Sequence, residues 1–121
     1  MIKFYRCRHC GNVIVKVVDS GVPVVCCGEV MGELKPNTTD GAVEKHVPVI
    51  EKKNGKTVVR VGEVPHPMTA EHYIPLIVAT NKDGFEIKKL APNDKPEVTF
   101  EGASFTEFYA FCNLHGLWLG K

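Results

Sequence analysis

Apolar residues in this chain fall in short, strand-like runs separated by polar, turn-rich stretches. Such runs lie at 2–6 and 13–18, with a brief one ending at Cys26, and then near 46–52, 56–62, 72–80, 84–89, 97–101, 106–111 and 117–119. Their lengths suit strands, and no long amphipathic helix, internal repeat or low-complexity tract interrupts them. Asn54-Gly55 predicts a two-residue hairpin, because both turn positions need positive φ. Asn81-Lys82-Asp83-Gly84 predicts a second hairpin, and Pro92 and Pro96 flank a further polar turn.

Composition sharpens that picture. Seventeen Val, six Ile and seven Thr are stiff at χ1 and fit a pleated surface, whereas 11 Gly and 8 Pro supply turns. The expectation is an all-β chain of two modules. Residues 1–35 carry four of the five Cys and form a small metal module. Residues 36–121, with about seven short strands, form an antiparallel β-sandwich of immunoglobulin-like architecture. A module of ~35 residues buries too little apolar surface to be stable alone, so a bound metal is expected to make up the difference. The polar, turn-rich segment 35–43 reads as a linker or mobile loop.

Charge excludes two partner classes. Fifteen Lys+Arg against 14 Asp+Glu give a net +1, too little field to favour nucleic acid or an anionic membrane surface. The longest clean apolar run, near Ile74–Ala79, is far short of the ~18 residues of a membrane span. The opening residues lack the apolar core of a secretory leader, which points to the cytoplasm. Thiols stay reduced there, and five Cys is an odd count, so metal ligation is favoured over a disulfide framework.

Cys7-Arg8-His9-Cys10-Gly11 is a CxxC knuckle, and Cys26-Cys27-Gly28 follows after fifteen intervening residues. Four thiolates around one ion make the tetrahedral site used by zinc and by iron. Adjacent strand residues point to opposite faces, so Cys26 and Cys27 share an ion only if the backbone turns sharply there, and a distorted tetrahedron is expected. The alternatives are a vicinal disulfide or one idle buried Cys. His9 reads as a surface side chain.

The second constellation is His46 after Glu44-Lys45 at the opening of a strand, His66 between Pro65 and Pro67, His72, and the turn Cys112-Asn113-Leu114-His115. Four imidazoles and one thiolate suit a transition metal such as iron or copper. They exceed the four ligands of a structural zinc site and leave an octahedral ion one open position.

These motifs resemble the desulfoferrodoxin family, the two-iron form of superoxide reductase. They are Cys7-x₂-Cys10 with Cys26-Cys27, Glu44-Lys45-His46-Val-Pro-Val-Ile-Glu, Val-Pro-His66-Pro-Met, Glu71-His72 and Cys112-Asn-Leu-His115-Gly, in the family's order. The resemblance implies a desulforedoxin-like, rubredoxin-like module with iron on Cys7, Cys10, Cys26 and Cys27. It implies a second iron held equatorially by His46, His66, His72 and His115, with Cys112 axial. It further implies reduction of superoxide to hydrogen peroxide without dioxygen release, a rubredoxin-type donor and a homodimer. The family's Lys at position 45 attracts superoxide and helps place a proton-donating water, and its Glu at position 44 can take the sixth position of resting ferric iron. Zinc in the four-Cys site remains open. A plain electron carrier and a zinc-ribbon binding module are the competing function classes.

Overall fold

The structure is a computed structural model that describes residues 2–121 and divides into two compact units, Met1–Lys35 and Pro36–Lys121. In the first unit, β1 (Phe4–Arg6) lies between β2 (Val13–Val15) and, after β3 (Val25–Cys26) and β4 (Glu29–Val30), β5 (Gly32–Leu34). All pairings are antiparallel. Phe4 faces Val15 on one side and Leu34 on the other. With Cys7 and Met31 it forms the buried part of a very small core. The strand predicted to reach residue 18 stops at Val15, which pairs with Phe4, the first residue of the three-residue β1. Val17 and Val18 are exposed, and Lys16 instead closes the next turn through Asp19 Oδ1 (3.2 Å) and the Val22 carbonyl (2.9 Å).

The second unit is a seven-strand sandwich. It holds the one-turn helix α1 (Val43–His46), β6 (Pro48–Lys53), β7 (Lys56–Val61), β8 (Leu76–Asn81), β9 (Gly84–Lys89), β10 (Glu97–Glu101), β11 (Glu107–Cys112) and β12 (Gly116–Gly120). One sheet has the order β10-β7-β6 and the other β12-β11-β8-β9, antiparallel throughout. Alternation along β7 sends Thr57, Val59 and Val61 inward, where they meet a core that includes Ile77, Ala79, Phe100, Phe108 and Ala110. Cys112 closes the end of that core on β11.

Three expectations are corrected here. Residues 44–46 do not open a strand but form α1, with Val47 N–H bonded to the Val43 carbonyl. Val47 is extended, as a residue before proline must be, so the strand begins only at Pro48. The run 72–80 becomes strand only from Leu76, because Tyr73 N–H is taken by the Asn113 side chain rather than by a neighbouring strand. Within the segment expected to be a linker or mobile loop, Asn37 is pinned to β12: its N–H bonds the Leu117 carbonyl, and its side chain exchanges two bonds with the Leu119 backbone.

Candidate metal centres

The Sγ atoms of Cys7, Cys10, Cys26 and Cys27 all lie within 4.8 Å of one another. Two local turns bring them together. The first is the knuckle, in which Cys10 N–H points at Cys7 Sγ (3.4 Å). The second is a two-residue hairpin turn between β3 and β4, with Cys27 at φ 54° and Gly28 at φ 74°. It has the positive-φ pattern of Asn54-Gly55, at 53° and 74°, although left-handed backbone is unfavourable for a residue with a Cβ. That turn lets neighbouring cysteines face one point. The five cysteines are free thiols, and Cys26 and Cys27 Sγ stand 4.0 Å apart, which excludes a vicinal disulfide here.

Electrostatics favours a cation among these sulfurs. Backbone N–H donation, from Cys10 above all, pulls Cys7 down to about 6. The neighbouring sulfurs of Cys10 and Cys7 push Cys27 up to about 12. One thiolate is therefore stabilised while Cys26 and Cys27 are pushed up, and a cation among the sulfurs would favour their ionisation together. Across the rim, Arg8 and His9 from the knuckle share the Glu29 carboxylate that follows the second turn. Arg8 Nη2 donates to Glu29 Oε1 at 2.7 Å, and His9 Nε2 stands 2.9 Å from Glu29 Oε2.

In the second unit, donor atoms of His46, His66, His72 and Cys112 lie within 4.8 Å of one another. His115 joins them, its Nδ1 3.1 Å from His46 Nε2 and 3.8 Å from Cys112 Sγ. His46 Nδ1 lies 2.7 Å from the Ala42 carbonyl, and His66 Nδ1 lies 2.7 Å from the Pro67 carbonyl. Carbonyls only accept, so both Nδ1 atoms carry the proton and both Nε2 atoms present lone pairs. Those two Nε2 atoms face each other at 3.1 Å. A cation or a proton must separate them, and burial opposes the proton: it lowers His46 and takes His66 down to about 4. His72, also lowered by burial, has its Nε2 buried without a hydrogen-bond partner among the described residues. A metal ion satisfies all of these atoms at once, so the donor set fits one.

Backbone contacts set the spacing. A Cβ on Gly62 would stand 2.7 Å from the Glu44 carbonyl and 3.0 Å from that of Val47, so only glycine lets α1 sit on this segment. Val64 N–H bonds the Glu44 carbonyl and His66 N–H bonds the Val61 carbonyl, which ties His66 to the turn bearing His46. Asn113, inside the Cys112–His115 turn, clamps His72 from both sides. It accepts from Tyr73 N–H at 2.9 Å and donates to the Glu71 carbonyl at 3.0 Å. Asn113→Ala is expected to cost about 1–3 kcal/mol of stability, since partly buried polar groups lose their partners. It should also weaken metal retention ~10–100-fold, as measured by chelator competition and thermal unfolding.

Glu44 and Lys45 are exposed on α1, directly before His46. The Lys45 charge depresses both His46 and His72, and that of Glu44 raises His46, so both charges are felt at the cluster. Glu44 also lines an open groove with Val43, Val47, Pro48, Glu63 and Lys121. Sequence reading overlooked Glu29, Gly62, Asn113 and Trp118. Only Asn113 carried a signal, by lying within the Cys-x₂-His turn.

The family model described as Desulfoferrodoxin matches residues 38–121. Desulfoferrodoxin of Nitratidesulfovibrio vulgaris is 46% identical over 118 residues, covering 96% of this chain and 93% of that protein. That of Clostridium acetobutylicum is 39% identical, with coverage of 97% and 94%. The crystal structure of the superoxide reductase from Treponema pallidum superposes with a TM-score of 0.83 at 36% identity, covering 100% of this chain and 98% of that one. A one-iron superoxide reductase from Giardia intestinalis matches with a TM-score of 0.51 at 26% identity, covering 64% of this chain and 95% of its own.

Proposed function

This chain belongs to the desulfoferrodoxin family, and from that membership we propose that it is a superoxide reductase. Superoxide, one electron from an external donor and two protons give hydrogen peroxide, and no dioxygen is released. The observation that carries the reading is the convergence of four imidazoles and a thiolate whose lone pairs call for a cation. The superoxide reductase structures that share the fold support it.

Held by His46, His66, His72, His115 and Cys112, ferrous iron would supply the electron and keep one position open for a small oxidant. The remaining roles belong to the chain. The Ala42 and Pro67 carbonyls fix the tautomers of His46 and His66 so that Nε2 faces inward. Cys112, fully buried, receives His115 N–H at 3.4 Å, which steadies its thiolate. Lys45, exposed beside His46, draws the superoxide anion toward the cluster. Glu44 balances that charge from the same turn. Both protons come from solvent at this exposed edge.

We assign a second iron to Cys7, Cys10, Cys26 and Cys27, a set that zinc also suits. The donor is assigned as a rubredoxin-type carrier and the state as a homodimer. Five free thiols suit a reducing cytoplasm, where we place the protein. Among the described residues, no helix is long and apolar enough to cross a membrane.

Turnover should consume one donor electron for each superoxide removed, with reduced rubredoxin or ascorbate as donor. Superoxide removal that leaves the donor untouched would make the protein a dismutase and reject the proposal. Lys45→Ala should slow the second-order reaction about tenfold and flatten its dependence on ionic strength, as loss of local steering requires. Stopped-flow rates across a salt series measure both, and an unchanged slope would remove Lys45 from the steering role.

A further inference from the structure

Trp118 is the only tryptophan of the chain and lies buried on β12. Its ring stacks on that of His46, with centroids 4.9 Å apart and planes inclined by 29°. Its Nε1 donates to the His115 carbonyl at 3.0 Å. One side chain thus touches two of the five residues that converge on the second site, and those two are 69 positions apart in sequence. The backbone of Gly41 closes on His46 and Trp118 from another direction. A Cβ there would stand 3.2 Å from Trp118 Cζ2 and 3.3 Å from His46 Cε1. His46 is therefore fixed at its Nδ1 by Ala42, on one ring face by the indole, and near its Cε1 by residue 41. His115 is fixed by the same indole through its main chain.

We propose that Trp118 is a positioning residue that couples His46 to His115, holding His46 Nε2 and His115 Nδ1 at the separation that takes the metal. Stacking sets the plane of one imidazole, and the indole N–H sets the turn that carries the other. Neither bond alone defines the distance between the two nitrogens, but a rigid bicyclic ring making both contacts does. This inference rests on reading the cluster as a metal centre.

Two variants separate the contacts. Trp118→Phe keeps an aromatic face for His46 and removes the N–H to His115, and Trp118→Leu removes both. Each is purified iron-loaded, oxidised chemically and then challenged with a chelator. The sulfur-to-iron absorption of the His/Cys centre is followed beside that of the four-Cys centre, which serves as the internal reference. Trp118→Phe should shift the His/Cys band and release that iron several-fold faster. Trp118→Leu should shift it further and release iron ~10–100-fold faster, with the four-Cys band unmoved in both. Folded variants with the wild-type band and release rate would overturn the proposal. If the tryptophan variants do not fold, Gly41→Ala decides. It keeps both Trp118 contacts but presses a methyl against the stacked pair, so the band should shift, and an unshifted band overturns the coupling. A wild-type protein with no His/Cys band at all would instead sink the metal-centre reading, and this inference with it.

Discussion

Cys112→Ser is expected to abolish the sulfur-to-iron absorption of the His/Cys centre and nearly all superoxide reduction, while the four-Cys chromophore stays. Cys112 is fully buried at the end of β11, where its register partner Gly116 closes the turn that returns with His115. Its sulfur lies 3.8 Å from His115 Nδ1 and within 4.8 Å of the donor atoms of His46, His66 and His72. A thiol ionises readily beside a cation, but a serine hydroxyl does not, so the substitution removes the one anionic donor of the set. The loss should exceed the ~10–100-fold that removing an outer hydrogen-bond partner costs. Serine fits the space, so folding is not at stake. Visible spectra of the oxidised protein and rates with superoxide check the result. Retention of both bands would take Cys112 out of the ligand set.

The second large effect should fall on the other unit alone. Cys26→Ser is expected to bleach the four-Cys chromophore and loosen residues 2–35, leaving superoxide reduction largely intact when electrons are supplied chemically. The buried core there amounts to little more than Phe4, Cys7 and Met31, and its strands are two or three residues long. Such a unit draws its stability from the ion that its thiolates share. The donor atoms that converge on the His/Cys centre come from residues 46–115 of the second unit. Limited proteolysis, visible spectra and superoxide kinetics on the same sample separate the two outcomes. Complete loss of activity in a variant whose second unit remains folded would contradict this independence.

Much of this was legible in the sequence. Asn54-Gly55 announced its hairpin because the turn depends on two local φ angles, and six of the seven sandwich strands lie close to the runs that predicted them. The need for a sharp turn at Cys26-Cys27 was also visible, since adjacent strand residues cannot share a point. Its form was not: a cysteine at positive φ breaks the local rule, and the nearby sulfurs that justify it come from a distant segment. The turn at 43–46 was missed for the same reason. Glu44 and Lys45 are good helix formers, but a single turn is too short to show a helical period, and α1 sits against the backbone of Gly62, eighteen residues away in the chain from Glu44. Trp118 carried no signal in the sequence, because its stacking on His46 and its bond to His115 exist only after β12 pairs with β11. Local chemistry shows in sequence, but the outer contacts that aim the ligands arise from tertiary packing.

The central claim is tested most directly by product counting. Iron-loaded protein, fully reduced and free of excess donor, is exposed to a substoichiometric pulse of superoxide, and peroxide and dioxygen are measured together. The account predicts one hydrogen peroxide per superoxide, one oxidised His/Cys centre for each, and no dioxygen. Half a peroxide and half a dioxygen per superoxide, with the centre left reduced, would contradict it.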